Sequence, residues 1–357
     1  MKKFLSYTLV GLMFFTLVGC SKKKEVEDVK KKDDFEIKMA INTIDKYMDS
    51  IEKEKYEELN KLLTEDVKSS EKDLKINELK IRGYKLDEIT ETDREGIFKI
   101  NVIKSNINKP ETLLIESIIN VVKDGTDYKI SKISNSMKKE VFYLYGELRI
   151  RNENKVDTNL VINMEGVPKY AYSKDDKAKM EMQLVPKKNF GAIDFSYEGD
   201  KLAFTTVDND VFIAILTLDE TMQTQGESQG KEAKDEKEGK LIREKPIGKQ
   251  IVACDFLRNC KIEGMFFSED ERYLIVQYKT TDNKMCIRIY NCDSGELVPI
   301  KFEEEYPLNK VGVKFLKLKK DKMIYQVNPV KQEYKDNEYI GMWELDFKEF
   351  KPKRIEK

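Results

Sequence analysis

The chain opens with Lys2 and Lys3 and then a mostly apolar run of fifteen residues, Phe4–Val18, which gives way at Cys20 to the densely charged stretch 21–34. Apolar residues next recur at steps of four and three. Ile37, Ile41, Ile44, Met48 and Ile51 make one stripe, the mark of an amphipathic helix. A second, short helix is predicted around Tyr56, Leu59, Leu62, Leu63 and Val67. The period then shortens, and strands are predicted over 74–79, 97–103, 113–122 and 128–133. Turn signals separate them: Arg94-Glu95-Gly96, Asn108-Lys109-Pro110 and Lys123-Asp124-Gly125, the last suited to a tight hairpin. Helices followed by an antiparallel meander predict an α+β domain over 35–135, a helix laid on a curved sheet.

From 138 to 351 no amphipathic helix is evident and short strands succeed one another. The segments 192–218 and 264–291 share a plan: apolar strand, Phe-Ser, acidic turn, apolar strand, Asp-Asn turn, apolar strand. The Phe-Ser pairs are Phe195-Ser196 and Phe267-Ser268. A third copy begins at Val311 with Leu316 in place of the serine, and a degraded fourth lies near 143–185. Between the first two copies, 219–240 is rich in Gln, Gly, Glu and Lys without apolar periodicity, which predicts a disordered insert.

Three stretches resemble known families. Leu17-Val18-Gly19-Cys20, after a short apolar run and a basic start, resembles the bacterial lipobox. The resemblance implies that 1–19 is a lipoprotein signal peptide, that Cys20 carries a covalent diacylglycerol, and that 20–34 is a charged tether. It places the protein at the extracytoplasmic face of the cell membrane. Stable anchoring by acyl chains follows from about 0.8 kcal/mol per buried CH₂. The order of elements in 35–135 resembles the NTF2-like domains. FSYEGDKLAF, Phe195–Phe204, resembles the blade signature of TolB- and WD40-like β-propellers, with Glu198 at the usual Asp, Gly199 retained, and Glu271 replacing that glycine in the second copy. It implies an all-β, propeller-like domain over 138–351, long enough for four or five blades at roughly 40–50 residues each.

Composition narrows the chemistry. Histidine is absent, which excludes Ser-His-Asp and Cys-His nucleophile pairs and His-ligated metals. Lys+Arg number 65 against 66 Asp+Glu, so no basic excess points to nucleic acid. Charged residues make up 37% of the chain, against about 25% in typical domains, predicting densely ionic surfaces. Cys254 and Cys260, and Cys286 and Cys292, are each separated by five residues. That spacing does not suit a zinc knuckle and leaves buried core thiols or disulfides open. The turns Asp208-Asn209-Asp210 and Asp282-Asn283 fall at equivalent places in the repeat, which points to turn chemistry rather than calcium binding. No catalytic residue, metal or free cofactor is predicted. The expected role is a non-enzymatic binding, scaffold or sensor module touching another envelope protein. The competing class is a carboxylate-dependent hydrolase acting on an envelope substrate. The alternating α/β pattern of a transporter's binding lipoprotein is missing.

Overall fold

The computed structural model describes residues 35–70, 78–222 and 244–356. Cys20, the lipobox and the tether lie outside these residues. Glu36–Lys357 forms one compact unit. Helix α1 (Ile37–Glu52) buries Ala40, Ile44, Tyr47 and Met48, so the predicted helix is present with its inward face rotated slightly from the predicted stripe. The second predicted helix divides into α2 (Tyr56–Lys61) and α3 (Glu65–Ser70). The division is a tertiary effect. The Ile130 N–H donates to the Leu62 carbonyl at 2.8 Å and the Thr64 N–H donates to the Ile130 carbonyl at 2.9 Å, so this link pairs with a strand instead of continuing a helix.

That strand belongs to a six-stranded antiparallel sheet in simple sequential order: β1 (Lys80–Glu91), β2 (Glu95–Asn106), β3 (Glu111–Asp124), β4 (Asp127–Leu144), β5 (Glu147–Asn152) and β6 (Asn159–Asn163). The Asp124-Gly125 hairpin forms as predicted, with Gly125 at φ 65° and Asp124 paired to Asp127. The expected fold class, an NTF2-like α+β domain followed by an all-β one, is overturned. The described chain is mostly β, 54% strand and 12% helix, with no evident NTF2-like helix-on-sheet domain. The physical reason lies in β4. The expected domain end at 135 falls inside a strand of eighteen residues that runs on to Leu144 and recruits β5 and β6.

Next comes a two-stranded ribbon, β7 (Tyr170–Tyr172) and β8 (Met182–Leu184). The degraded fourth copy of the repeat therefore resolves into the end of β4, β5, β6 and this ribbon. Three up-and-down meanders follow. The first is β9 (Asn189–Phe195), β10 (Lys201–Val207), β11 (Val211–Leu218) and β12 (Gly248–Leu257). The second is β13 (Cys260–Phe267), β14 (Tyr273–Thr280) and β15 (Met285–Asn291). After one helical turn, α4 (Phe302–Glu305), the third is β16 (Val311–Lys319), β17 (Lys322–Pro329), β18 (Gly341–Asp346) and β19 (Pro352–Glu356). Of the predicted insert, Glu220–Met222 forms a 3-10 turn, and most of the remainder lies outside the described residues.

The first two meanders are structural copies at their first turn. The Ser196 N–H donates to the Lys201 carbonyl at 3.0 Å and the Ser268 N–H to the Tyr273 carbonyl at 2.9 Å. Each serine hydroxyl accepts from the N–H five residues on, at 3.2 Å from Lys201 and 3.0 Å from Tyr273. Gly199 at φ 69° and Glu271 at φ 57° occupy the same left-handed position. A glutamate is strained there. Its carboxylate is held by accepting the Glu198 N–H at 2.7 Å, so the second turn is tied to the first. The third copy lacks the serine and closes instead with the two-residue hairpin Lys320-Asp321. One apolar core runs from Ile103 and Leu114 of the long sheet through Phe204 and Ile275 to Leu345 of the last meander, while buried residues such as Ile44, Tyr47, Phe98 and Ile130 lie outside it. This shared core fuses sheet and meanders into one body.

Candidate functional site

Asp45, Asp49 and Glu52 recur at steps of four and three, which puts their carboxylates on one face of α1. They line a cavity of about 320 Å³ together with β1, Tyr197, Glu269 and the β16–β17 hairpin. Cations enter from two sides: Arg82 on β1, and Lys317, Lys319 and Lys320 on the hairpin. Arg82 is the extra residue of a β-bulge, since Ile81 pairs with Lys104 and Gly83 with Ile103. A bulge breaks the alternation of the strand and re-aims one side chain.

Charge lines the cavity on several sides, beside the apolar Leu86, Phe315 and Leu318. The Tyr84 hydroxyl donates to Asp45 Oδ1 at 2.9 Å, and burial, then Asp45, holds the phenol far above its usual range. Lys317 lies 3.8 Å from Asp49. Glu52, though exposed as a residue, has its carboxyl pushed up by desolvation and secondarily by Asp49. Glu269 is raised by burial and then by Asp45. Arg82 donates from Nη2 to the Ser105 carbonyl at 3.4 Å, while its Nε is buried with no hydrogen-bond partner among the described residues. Burial lowers its pKa.

Behind Arg82 sits Asp194 of β9, 2% exposed. It accepts from the Ser105 hydroxyl and, at 3.5 Å, from the Thr112 hydroxyl, and the two hydroxyls lie 3.0 Å apart. Burial raises its carboxyl to about 7 against the lowering pull of Ser105, Arg82 and Thr112. The Tyr197 ring closes the cavity against Gly83, where an added Cβ would overlap the phenol oxygen. Tyr197 is 3% exposed and packed in the core, so its ring would have to shift. Gly83→Ala should therefore cost about 1–3 kcal/mol, the usual overpacking range. Urea denaturation checks this, and an unchanged midpoint would show that the ring relocates freely.

A second charged cluster holds the meanders together. Asp255 of β12, with a side chain 0% exposed, accepts from Arg288 Nη1 at 2.7 Å and the Tyr290 hydroxyl at 2.8 Å. Its other oxygen accepts the N–H groups of Lys174 and Phe256 at 2.8 and 2.7 Å. Arg288 also donates from Nε to Glu303 at 2.6 Å and from Nη2 to Asp175 at 2.8 Å. Glu303 accepts the Tyr278 hydroxyl at 2.6 Å. This knot joins β12, β14, β15, α4 and the tip of the β7–β8 ribbon. Both Asp255 oxygens are occupied by structural donors and Glu303 Oε1 takes two, while Glu303 Oε2 is buried with no hydrogen-bond partner among the described residues; the cluster reads as a clamp.

The sequence-predicted site residues lie elsewhere. Cys254, Cys286 and Cys292 are buried and Cys260 is half-buried, and all four are free thiols. Burial raises Cys260 to about 12 and the others further. Asp208-Asn209-Asp210 and Asp282-Asn283 both sit in hairpin turns, β10–β11 and β14–β15. Among the described residues no group of three or more Cys, Asp or Glu is placed to hold a metal ion. Sequence reasoning missed Arg82, Asp194, Asp255 and Arg288. Three of them had a visible signal: a single charge inside an apolar strand, as in Ala192-Ile193-Asp194-Phe195, Ala253-Cys254-Asp255-Phe256 and Cys286-Ile287-Arg288-Ile289.

No known protein-family profile matches the chain, and no curated protein does. Solved structures to which it is similar include β-propeller and TolB proteins. The β-propeller domain of Cps50 (Swd1) from Myceliophteria thermophila shares 10% identity at TM-score 0.26, covering 70% of this chain and 80% of that one. TolB from Acinetobacter baumannii shares 8% at TM-score 0.17, covering 68% and 75%. A puromycin-hydrolyzing peptidase of Mycobacterium tuberculosis shares 8% at TM-score 0.23, covering 76% and 53%. At such scores the likeness carries no argument about activity.

Proposed function

We propose that this protein is a membrane-anchored, extracytoplasmic binding module of the cell envelope, non-enzymatic, with the mixed-charge cavity at Arg82 as its recognition site. The observation that carries this reading is Arg82 itself. It is the bulge residue of β1, its Nε is buried without a partner, and carboxylates and lysines face it across the same cavity. An unpaired buried donor costs about 1–3 kcal/mol, which a ligand's acceptor recovers on binding. The cavity suits a group that carries both signs, such as a peptide segment of an envelope protein with a carboxylate toward Arg82 and an amine toward Asp45 and Glu269. The meanders are read here as blades of an incomplete propeller that hold the cavity rigid. The membrane link is a diacylglycerol on Cys20, with no other cofactor.

Two experiments test the reading separately. In intact cells, a photo-crosslinker at Lys319 should yield a discrete envelope-protein adduct that Arg82→Gln reduces about tenfold. No adduct, or one indifferent to that substitution, overturns the recognition site. Cys20→Ala should move the protein from the membrane to the soluble fraction, and unchanged fractionation overturns the anchor.

A second reading is favoured by one observation: Glu52 and Glu269 line the same cavity and both have raised carboxyl pKa values. A carboxylate-dependent hydrolase needs one protonated and one ionised group. Turnover of an isolated envelope polymer, lost in both Glu52→Gln and Glu269→Gln, would establish that reading in place of the first.

A further inference from the structure

Arg82 and Asp194 lie close together without closing on one another. Ser105 of β2 bonds to both: its carbonyl accepts Arg82 Nη2 at 3.4 Å and its hydroxyl donates to Asp194 Oδ1. No ion pair joins the arginine to the carboxylate among the described residues. Burial works against the charge of both groups, and each then supports the other's. Arg82 pulls the Asp194 carboxyl down, and Asp194 pulls the guanidinium back up. The Thr112 hydroxyl also donates to Asp194 Oδ1, at 3.5 Å, so both hydroxyls serve one oxygen of the carboxyl. The other oxygen takes neither hydroxyl, and a proton can sit there.

The groups around this pair come from every neighbouring element. β2 and β3 supply the two hydroxyls, and β10 sets the uncharged Ala203 opposite Asp194. Tyr197, just past β9, has its phenol raised far above the usual range by burial and then by Asp194, so it stays neutral. Glu269 and Glu271, from the β13–β14 turn, act on that phenol. Glu52 of α1 and Glu263, the bulge residue of β13, reach the pair from the Arg82 side. With no histidine in the chain, carboxyls are the groups here that can titrate near neutral pH.

With Asp194 ionised, a second carboxylate brought to Arg82 faces the first across one guanidinium. With a proton on Asp194 that repulsion is gone, and the whole charge of Arg82 is open to the incoming acid. The two events are linked, so each favours the other to the same extent. We infer that a carboxylate ligand captured at Arg82 brings a proton onto Asp194, so that the cavity holds acidic ligands in mildly acidic surroundings and releases them as pH rises. The inference rests on the Arg82 cavity being a recognition site, and adds the signal that regulates it. Its direction follows from burial, which raises the Asp194 carboxyl to about 7. The proton is held below that value and lost above it, so anion affinity is highest on the acidic side.

The test reads Arg82 directly by NMR of the full chain, isotope-labelled in arginine. The Arg82 Nε–H resonance is the one missing from Arg82→Gln. The probe is N-acetylglycine, whose single carboxylate stays ionised throughout the range used. It should move the Arg82 resonance, with an affinity about tenfold weaker at about pH 8 than at about pH 6. Asp194→Asn should bind it equally at both. Ser105→Ala removes a donor that pulls the Asp194 carboxyl down, so it should move the fall in affinity to higher pH, and it decides the matter if the asparagine variant does not fold. Equal affinity at both pH values in the parent overturns the proton link and leaves the recognition site standing. A probe that moves the Arg82 resonance at neither pH overturns both. A fall that persists in Asp194→Asn assigns the proton to Glu52 or Glu269 and overturns the inference, as does a Ser105→Ala curve that stays in place or moves to lower pH.

Discussion

Replacing Arg288 by methionine should lower stability by about 3–5 kcal/mol, a large part of what a single domain possesses. The reason is not that ion pairs are strong. Taking charges out of water is costly, and removing one partner leaves that cost uncompensated. Asp255 is fully enclosed and would keep only Tyr290 and two backbone N–H groups, while Glu303 would lose one of its two donors. Arg288→Lys keeps the charge but loses the fork that reaches Asp255, Glu303 and Asp175 together, and should fall between the two. Urea melts of the three proteins measure this. A methionine variant within about 1 kcal/mol of the parent would show that the knot is replaceable by apolar packing. The same substitution should free the ribbon tip, seen as faster proteolytic cutting near Lys177, because Asp175 loses its 2.8 Å contact.

Asp194→Asn should abolish a pH dependence of stability centred on the body of the protein. The folded carboxyl is raised to about 7 from its ordinary 3.8, so between those values the folded state holds a proton that the unfolded state has released. Stability from this group is therefore complete below about pH 4 and declines as pH rises toward 7. Across the interval from about pH 5 to about pH 8 the loss is on the order of 2–3 kcal/mol, at 1.36 kcal/mol per unit. Asparagine keeps an oxygen to accept from Ser105 and Thr112 without a charge to desolvate. The variant should gain on the parent steadily as pH rises, by denaturant midpoints at the two ends. Glu52, Glu269 and Glu271 are raised as well and slope the same way, so the difference between the proteins is the quantity to read. Parallel curves would sink the assignment.

Much of the local structure was legible. The α1 stripe, the β2 and β3 runs, the Asp124-Gly125 hairpin and the duplicated Phe-Ser turns all emerge where periodicity and turn chemistry place them. Strand β1 was not, because KIRGYKLDEITE is an edge strand with no fully buried residue and therefore no clean alternation. The cavity was illegible for a related reason. Three of its carboxylates come from one helix and Glu269 from the β13–β14 turn, its arginine from a bulge and its lysines from a hairpin more than two hundred residues along the chain. Only Asp194, Asp255 and Arg288 announced themselves, as single charges among apolar neighbours.

By itself, then, the sequence determined what short-range physics controls: helix and strand periods, the turns that need Gly or Ser, the repeat, and the absence of imidazole chemistry. Tertiary structure alone decided how far each strand runs and what it joins. β4 passes through a polar stretch because β3 pairs with it from Asp127 to Phe142, β5 joining from Lys139 onward, and that continuation turned an expected separate α+β domain into one wall of a larger β body. It also decided which charges matter, since a carboxylate's cost is set by burial and partners that arrive from distant segments.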